Sequence, residues 1–66
     1  MTEGKVKWFN KQKGFGYIEK SDGGEVFFDQ TVVQETDLEK LSFGKRIIFN
    51  IVHGPRGSEA GEIKVL

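Results

Sequence analysis

The stretch Lys13-Gly14-Phe15-Gly16-Tyr17-Ile18 decides how this chain is read. Along a strand, residues two apart share a face. Phe15 and Tyr17 then stand side by side on one face, with Gly14, Gly16 and Ile18 on the other. Only Ile18 has a side chain able to pack, so the core lies on its side and the two rings face outward. Exposed rings demand a cover. A nucleic-acid base fits that need, because it stacks on an aromatic ring for roughly 1–3 kcal/mol while the neighbouring lysine meets phosphate.

Short β-like runs and glycine turns extend from this stretch in both directions. Gly4 to Asn10 forms the first run, with Val6 inward between Lys5 and Lys7, and Lys11 to Gly14 is a polar turn. Phe15 to Glu19 is the second run. Asp22-Gly23-Gly24 is a hairpin signal. The third run, Glu25 to Asp29, puts Val26 and Phe28 on one face and Phe27 on the other. Residues 30–44 lose the alternation. Thr31 to Val33 suits a brief helical turn, and Glu35 to Lys40 is charged and loop-like. Lys45 to His53 is the fourth run, with Ile47, Phe49 and Ile51 inward and Ile48 outward. Gly54-Pro55-Arg56-Gly57 is a turn, and Glu59 to Val65 is the fifth run. The nine glycines are scattered through these runs, and no apolar set recurs at helical spacing. Five short strands separated by turns predict an all-β fold, a small barrel. Its expected core is Val6, Ile18, Val26, Phe28, Val33, Ile47, Phe49, Ile51 and Ile63.

At 66 residues the chain is expected to be one domain, spanning residues 1–66, with a stability on the order of 3–5 kcal/mol. It has no cysteine, which fits a reducing compartment and removes disulfides and thiolate metal sites. No apolar run approaches the ~20 residues of a membrane span, and no apolar signal region follows Met1. The expectation is a cytoplasmic protein with no membrane partner. Net charge is zero, from 10 basic and 10 acidic residues. Charge is unevenly distributed, however. Residues 1–20 carry five lysines against Glu3 and Glu19, residues 21–44 carry six acids against Lys40, and residues 45–66 carry four basic groups against Glu59 and Glu62. Positive segments flank an acidic middle, so one face of the fold can be basic.

Phe15, Tyr17 and Phe27 fall on the non-core face of two strands joined by a tight turn, and Trp8 can join them from the first run. Lys5, Lys7, Lys11, Lys13 and Arg56 can rim the cluster. Rings inside a basic rim form a stacking platform for single-stranded nucleic acid. Two other readings compete. The rings could plug the core, although their strand phase and the interleaved lysines oppose that. They could also form a protein-binding patch, since aromatics dominate such interfaces.

The blocks Gly4-Lys5-Val6-Lys7-Trp8-Phe9-Asn10, Lys13 to Ile18 and Val26-Phe27, followed by Gly54-Pro55-Arg56-Gly57 with Ala60, resemble the bacterial cold shock proteins from end to end. Lys13–Ile18 resembles that family's first RNA-binding motif and Val26–Gln30 its second. The resemblance implies a five-stranded antiparallel OB-type barrel that binds single-stranded RNA and DNA, and a chaperone role in which loosely bound protein keeps RNA unfolded. It assigns base stacking to Trp8, Phe15, Tyr17 and Phe27, and basic contacts to Lys7, Lys13 and Arg56. Phe9 matches a flanking apolar contact and Asn10 a polar one.

The second motif departs from the family, which usually reads Val-Phe-Val-His-Phe. Here the residues are Val26-Phe27-Phe28-Asp29-Gln30. Asp29 replaces a histidine and Gln30 a stacking phenylalanine, while Leu38 stands where the long loop usually offers another ring. Weaker binding is the expectation. A bland reading makes Asp29 and Gln30 a solvated strand end. A sharper one takes the chain partly away from nucleic acid, as a non-catalytic protein-interaction module. Phe28 also replaces a smaller inward residue, and overpacking typically costs about 1–3 kcal/mol unless neighbours give way.

Catalysis has little support. His53 is the only histidine, and no cysteine nucleophile, HExxH pair or phosphate-cradling GxxxxGK[ST] accompanies it. Asp22, Glu25 and Asp29 match no EF-hand spacing. The expectation is a monomeric, cofactor-free binding domain without a small-molecule substrate.

Overall fold

Asn10 ends the first strand and builds the turn that follows. Its side-chain oxygen accepts from the Lys13 amide at 2.9 Å, and its carbonyl accepts from Gly14 N at 2.8 Å. Gly14 sits at φ +77°, the left-handed region that glycine enters without strain. The chain therefore reverses within four residues and lays the second strand against the first. The computed structural model describes residues 1–66. Its strands are β1 (Thr2–Asn10), β2 (Phe15–Lys20), β3 (Glu25–Asp29), β4 (Arg46–Gly54) and β5 (Gly57–Val65). Two short 3-10 turns, Gln30–Val32 and Glu35–Lys40, occupy the long connection between β3 and β4. The helical turn expected at Thr31 to Val33 is thus one residue earlier, and the stretch expected as loop from Glu35 is turned.

The strands close in the order β1-β2-β3-β5-β4, with β4 returning to β1 through Thr2↔Phe49 to Lys5↔Arg46. Four of the neighbouring pairs are antiparallel, whereas β3 meets β5 in parallel, through the single pair Phe27↔Glu59. A second parallel bridge, Val33↔Ile63, lies just beyond. The expected barrel is present, with that seam as its one parallel joint.

The core consists of Val6, Ile18, Val26, Phe28, Val33, Ile47, Phe49, Ala60 and Ile63. Eight of these are the expected inward residues. Ile51 is a correction, being 41% exposed. It keeps the phase of Ile47 and Phe49, but β1 stops covering β4 at Phe49, so nothing packs over the next inward position. Ala60 and Ile63 are both buried although three residues apart. A bulge in the β4–β5 ladder, with Glu62 at φ +49°, lets both point inward. Ile48, expected outward, is half-buried.

Phe28 fits because Gly16 lies opposite it in the β2–β3 ladder. A Cβ at Gly16 would come within 2.8 Å of the Phe28 Cε1. Phe9 stacks on the other side, with ring centroids 5.5 Å apart. The missing side chain of Gly16 thus provides the space that the larger core residue fills. A surface ion pair between Glu3 and Arg46 ties β1 to β4, a type of contact worth about 0–1 kcal/mol at this exposure.

Candidate nucleic-acid interface

The outer face of β1, β2 and β3 is built in rows of cross-strand neighbours. Trp8 pairs with Tyr17, and Tyr17 with Phe27. One row further, Asn10 pairs with Phe15 and Phe15 with Asp29. Strict alternation from buried Val6 would turn Trp8 inward and Phe9 outward. The register shift between Val6 and Trp8 makes Lys7 an extra residue, and this bulge reverses the phase. Trp8 emerges 45% exposed, while Phe9 turns in against the core.

The four rings touch. Trp8 meets Phe15 edge-on at 5.2 Å between centroids, Phe15 stacks near-parallel on Phe27 at 5.7 Å, and Phe27 meets Tyr17 edge-on at 5.8 Å. Trp8 and Tyr17 close the circuit at 6.3 Å. Such ring pairs contribute about 0.5–1.5 kcal/mol each when well packed, enough to hold a preformed surface. The Arg56 guanidinium, delivered by the β4–β5 turn, lies over Phe27 at 4.5 Å from its centroid. It adds a cation–π contact and a second planar group on which a base can lie. Lys13, Phe15, Tyr17, Phe27, Asp29 and Arg56 line one open recess.

Charge around the rings is partly committed. Lys7 forms an ion pair with Glu25, whose hydrogen bond and charge raise the Lys7 ammonium above the ordinary lysine value. Lys11 and Lys13, in the β1–β2 turn, are exposed and form no ion pair. Asp29 caps the first 3-10 turn by accepting from the Thr31 amide at 2.9 Å. That bond, the Thr31 hydroxyl and the nearby Arg56 charge hold its carboxyl below the usual carboxylate range. The cap is therefore fully made above that usual range and is lost as pH falls through the lowered value. The Gln30 side chain folds onto Gly14, within 2.8 Å of where a Cβ would stand, and the backbone N–H of Gln30 donates to the Gly14 carbonyl at 2.9 Å.

A family model described as the 'Cold-shock' DNA-binding domain matches residues 2–66. The chain belongs to the cold-shock domain family. Among curated relatives, the cold shock-like protein CspC of Bacillus cereus is 43% identical over 61 residues, covering 92% of this chain and 94% of the relative. The cold shock protein CspB of Geobacillus stearothermophilus is 43% identical over 63 residues, 96% of each chain. A cold shock-like protein of Thermotoga maritima is 38% identical over 63 residues, again 96% of each. As a cold-shock domain, the chain is a nucleic-acid-binding protein whose barrel presents an aromatic surface.

Of the residues expected to form the site, this cold-shock domain brings Trp8, Phe15, Tyr17, Phe27, Lys13 and Arg56 together on one face. Asn10 stands at its edge with one side-chain atom engaged in the turn, Lys7 is held by Glu25, and Phe9 lies on the core side. Asp29 belongs to the recess as well, beside Arg56 rather than merely at a strand end. No helix is long and apolar enough to cross a membrane.

Proposed function

We propose that this cold-shock domain binds single-stranded RNA and DNA by stacking bases on Trp8, Phe15, Tyr17 and Phe27, with Lys7, Lys13 and Arg56 meeting phosphates or base edges. Phe9 and Asn10 flank the path, and Phe9 acts by backing the platform from the core side. The observation that carries the reading is the closed circuit of four touching rings on the outer face of β1–β3, with Arg56 laid over one of them. Stacking is tolerant of sequence, because every base has a π-face. Loose, sequence-tolerant binding holds RNA open without locking it, the action of an RNA chaperone. The reading takes the protein as a cytoplasmic monomer that acts without catalysis or cofactor.

Binding is weaker than on a complete platform. Asp29 sets a carboxylate beside Arg56 in the recess, Glu25 holds Lys7, and Gln30 offers an amide where a ring would extend the surface. Titrating Trp8 fluorescence with short thymine-rich strands tests the main reading. Quenching is expected, with an apparent affinity that falls steeply as salt rises through counterion release, and far weaker binding of matched duplex. A protein-interaction module on the same barrel gives no salt-dependent quenching, and that result overturns the nucleic-acid reading.

The weakening has its own test. Asn caps as well as Asp does, so Asp29→Asn preserves the turn and removes only the charge. It is expected to tighten binding several-fold at low salt, with the gain fading at high salt as screening shortens the reach of the charge. The pair Asp29→His with Gln30→Phe is expected to gain more affinity, on the order of tenfold per recovered stack, while losing about 1 kcal/mol of stability with the cap. Unchanged affinity in both variants would show that neither residue limits binding.

A further inference from the structure

Phe43 is the most exposed large apolar side chain, at 86%. It sits at the tip of a turn closed by Lys45 N donating to the Ser42 carbonyl at 3.0 Å, with Gly44 at φ +83°. That turn is pinned to β1 on the edge away from β2. Gly44 N donates to the Val6 carbonyl at 2.8 Å, and Val6 N donates to the Lys45 carbonyl at 2.9 Å. A fully exposed ring on a pinned turn has no packing role, since it belongs neither to the core nor to the residues packed against it. It does have neighbours of one useful kind. Lys5, Val6, Lys7, Glu19, Phe43 and Gly44 surround a shallow notch, so two lysines and one carboxylate line it with the ring, Lys7 being the lysine that Glu25 holds. Lys7 borders this notch and directly precedes Trp8, so the notch is next to the ring platform along β1.

We propose that Phe43, with Lys5, forms an additional stacking site for a base of the same single strand, lying past Trp8 on the β4 side of β1. The proposal rests on the nucleic-acid reading above. Ring and ammonium pair as they do on the main platform: the base covers the ring and Lys5 takes the adjoining phosphate. Lys7, shared between the two patches, exchanges its Glu25 partner for a phosphate of the strand that spans them. The occupant is a base of an extended strand rather than an isolated nucleotide, because the notch is shallow and one stack alone is weak.

The site predicts a length dependence. Oligothymidylates from about four to about sixteen nucleotides bracket the footprints known for barrels of this kind. The shortest strands, held by the four-ring platform, are expected to bind Phe43→Ser and the parent equally. Strands long enough to pass Lys7 are expected to bind Phe43→Ser roughly five- to tenfold more weakly, with Phe43→Tyr retaining parental affinity. In a second arrangement, Phe43→Trp in a Trp8→Phe background places the only indole at the notch, and its fluorescence is expected to be quenched by long strands alone. Equal affinity of Phe43→Ser and parent at every length overturns the proposal and leaves the platform standing. An equal loss at every length overturns it too, since the ring would then be acting through the main platform. Self-association of the parent that Phe43→Ser abolishes assigns the ring to a protein contact, against the proposal. Failure of the parent to bind any strand removes both readings together.

Discussion

Replacing Phe15 and Tyr17 together with alanine is expected to reduce affinity for a short thymine-rich strand by two orders of magnitude or more, while the barrel stays folded. Each stacked base contributes roughly 1–3 kcal/mol, and about 1.4 kcal/mol is a factor of ten in affinity. Two lost stacks of about 2 kcal/mol each, the middle of that range, therefore exceed a hundredfold even when their losses fall short of additive. The structure raises the expectation further, because Phe15 touches both Trp8 and Phe27, and Tyr17 touches the same two rings. Without them the remaining pair loses the contacts that fix its orientation. Neither residue belongs to the buried cluster, and Tyr17 is 38% exposed, so circular dichroism is expected to show an intact barrel with a modestly lowered melting temperature. Binding within tenfold of the parent by a folded variant would sink the platform as the site.

Phe28→Ala is expected to unfold the chain at room temperature. Phe28 is fully buried and, with Phe49, is one of the two largest side chains in the core. Deleting a buried phenylalanine typically costs about 3–5 kcal/mol, comparable with the whole stability of a domain this size. Collapse cannot relieve the loss, because the residue opposite is Gly16, which has no side chain to move into the space. Phe9, stacked on the ring from the far side, is left over a cavity. A milder variant, Phe28→Val, keeps part of the fill and is expected to remain folded with reduced stability. Urea titration followed by Trp8 fluorescence separates the two. A cooperative transition for Phe28→Ala at parental urea concentration would show that the barrel closes without this ring.

The strands and eight core positions could be read in advance because alternation reports directly on the pleat, and the pleat is set locally. Departures occurred wherever a residue's facing depends on another strand. The bulge at Lys7 exists because β1 must bend to reach both β2 and β4, and no pattern within Gly4 to Asn10 announces it. Trp8 reached the outer face in the resemblance and in the structure, but simple alternation from Val6 points it inward. Ile51 looked like core because its phase is right, and only the length of β1 shows that nothing covers it. The Lys7–Glu25 pair is invisible for the same reason, since residues eighteen apart meet only through the β1–β2–β3 register. Asp29 was legible as a departure from the family but not as a cap, which depends on the turn formed by the residues after it. Phe43 lies in the stretch 30–44 that shows no alternation, and only the hydrogen bonds between Gly44, Lys45 and Val6 set its turn against β1, in a notch lined by Lys5 and Lys7.

The parallel seam gives the barrel a preferred place to breathe. Elsewhere each strand is held by a ladder of several pairs, but β3 and β5 share one, Phe27↔Glu59, and the bridge at Val33 lies past the end of β3. Opening there breaks few bonds and leaves both flanking hairpins intact. Phe27 is also a member of the ring platform, and Arg56, arriving from the β5 side of the joint, rests on it. A strand laid across Phe27 and Arg56, as proposed above, would bridge the seam as a removable staple, so amide hydrogen exchange along this line is expected to slow on binding.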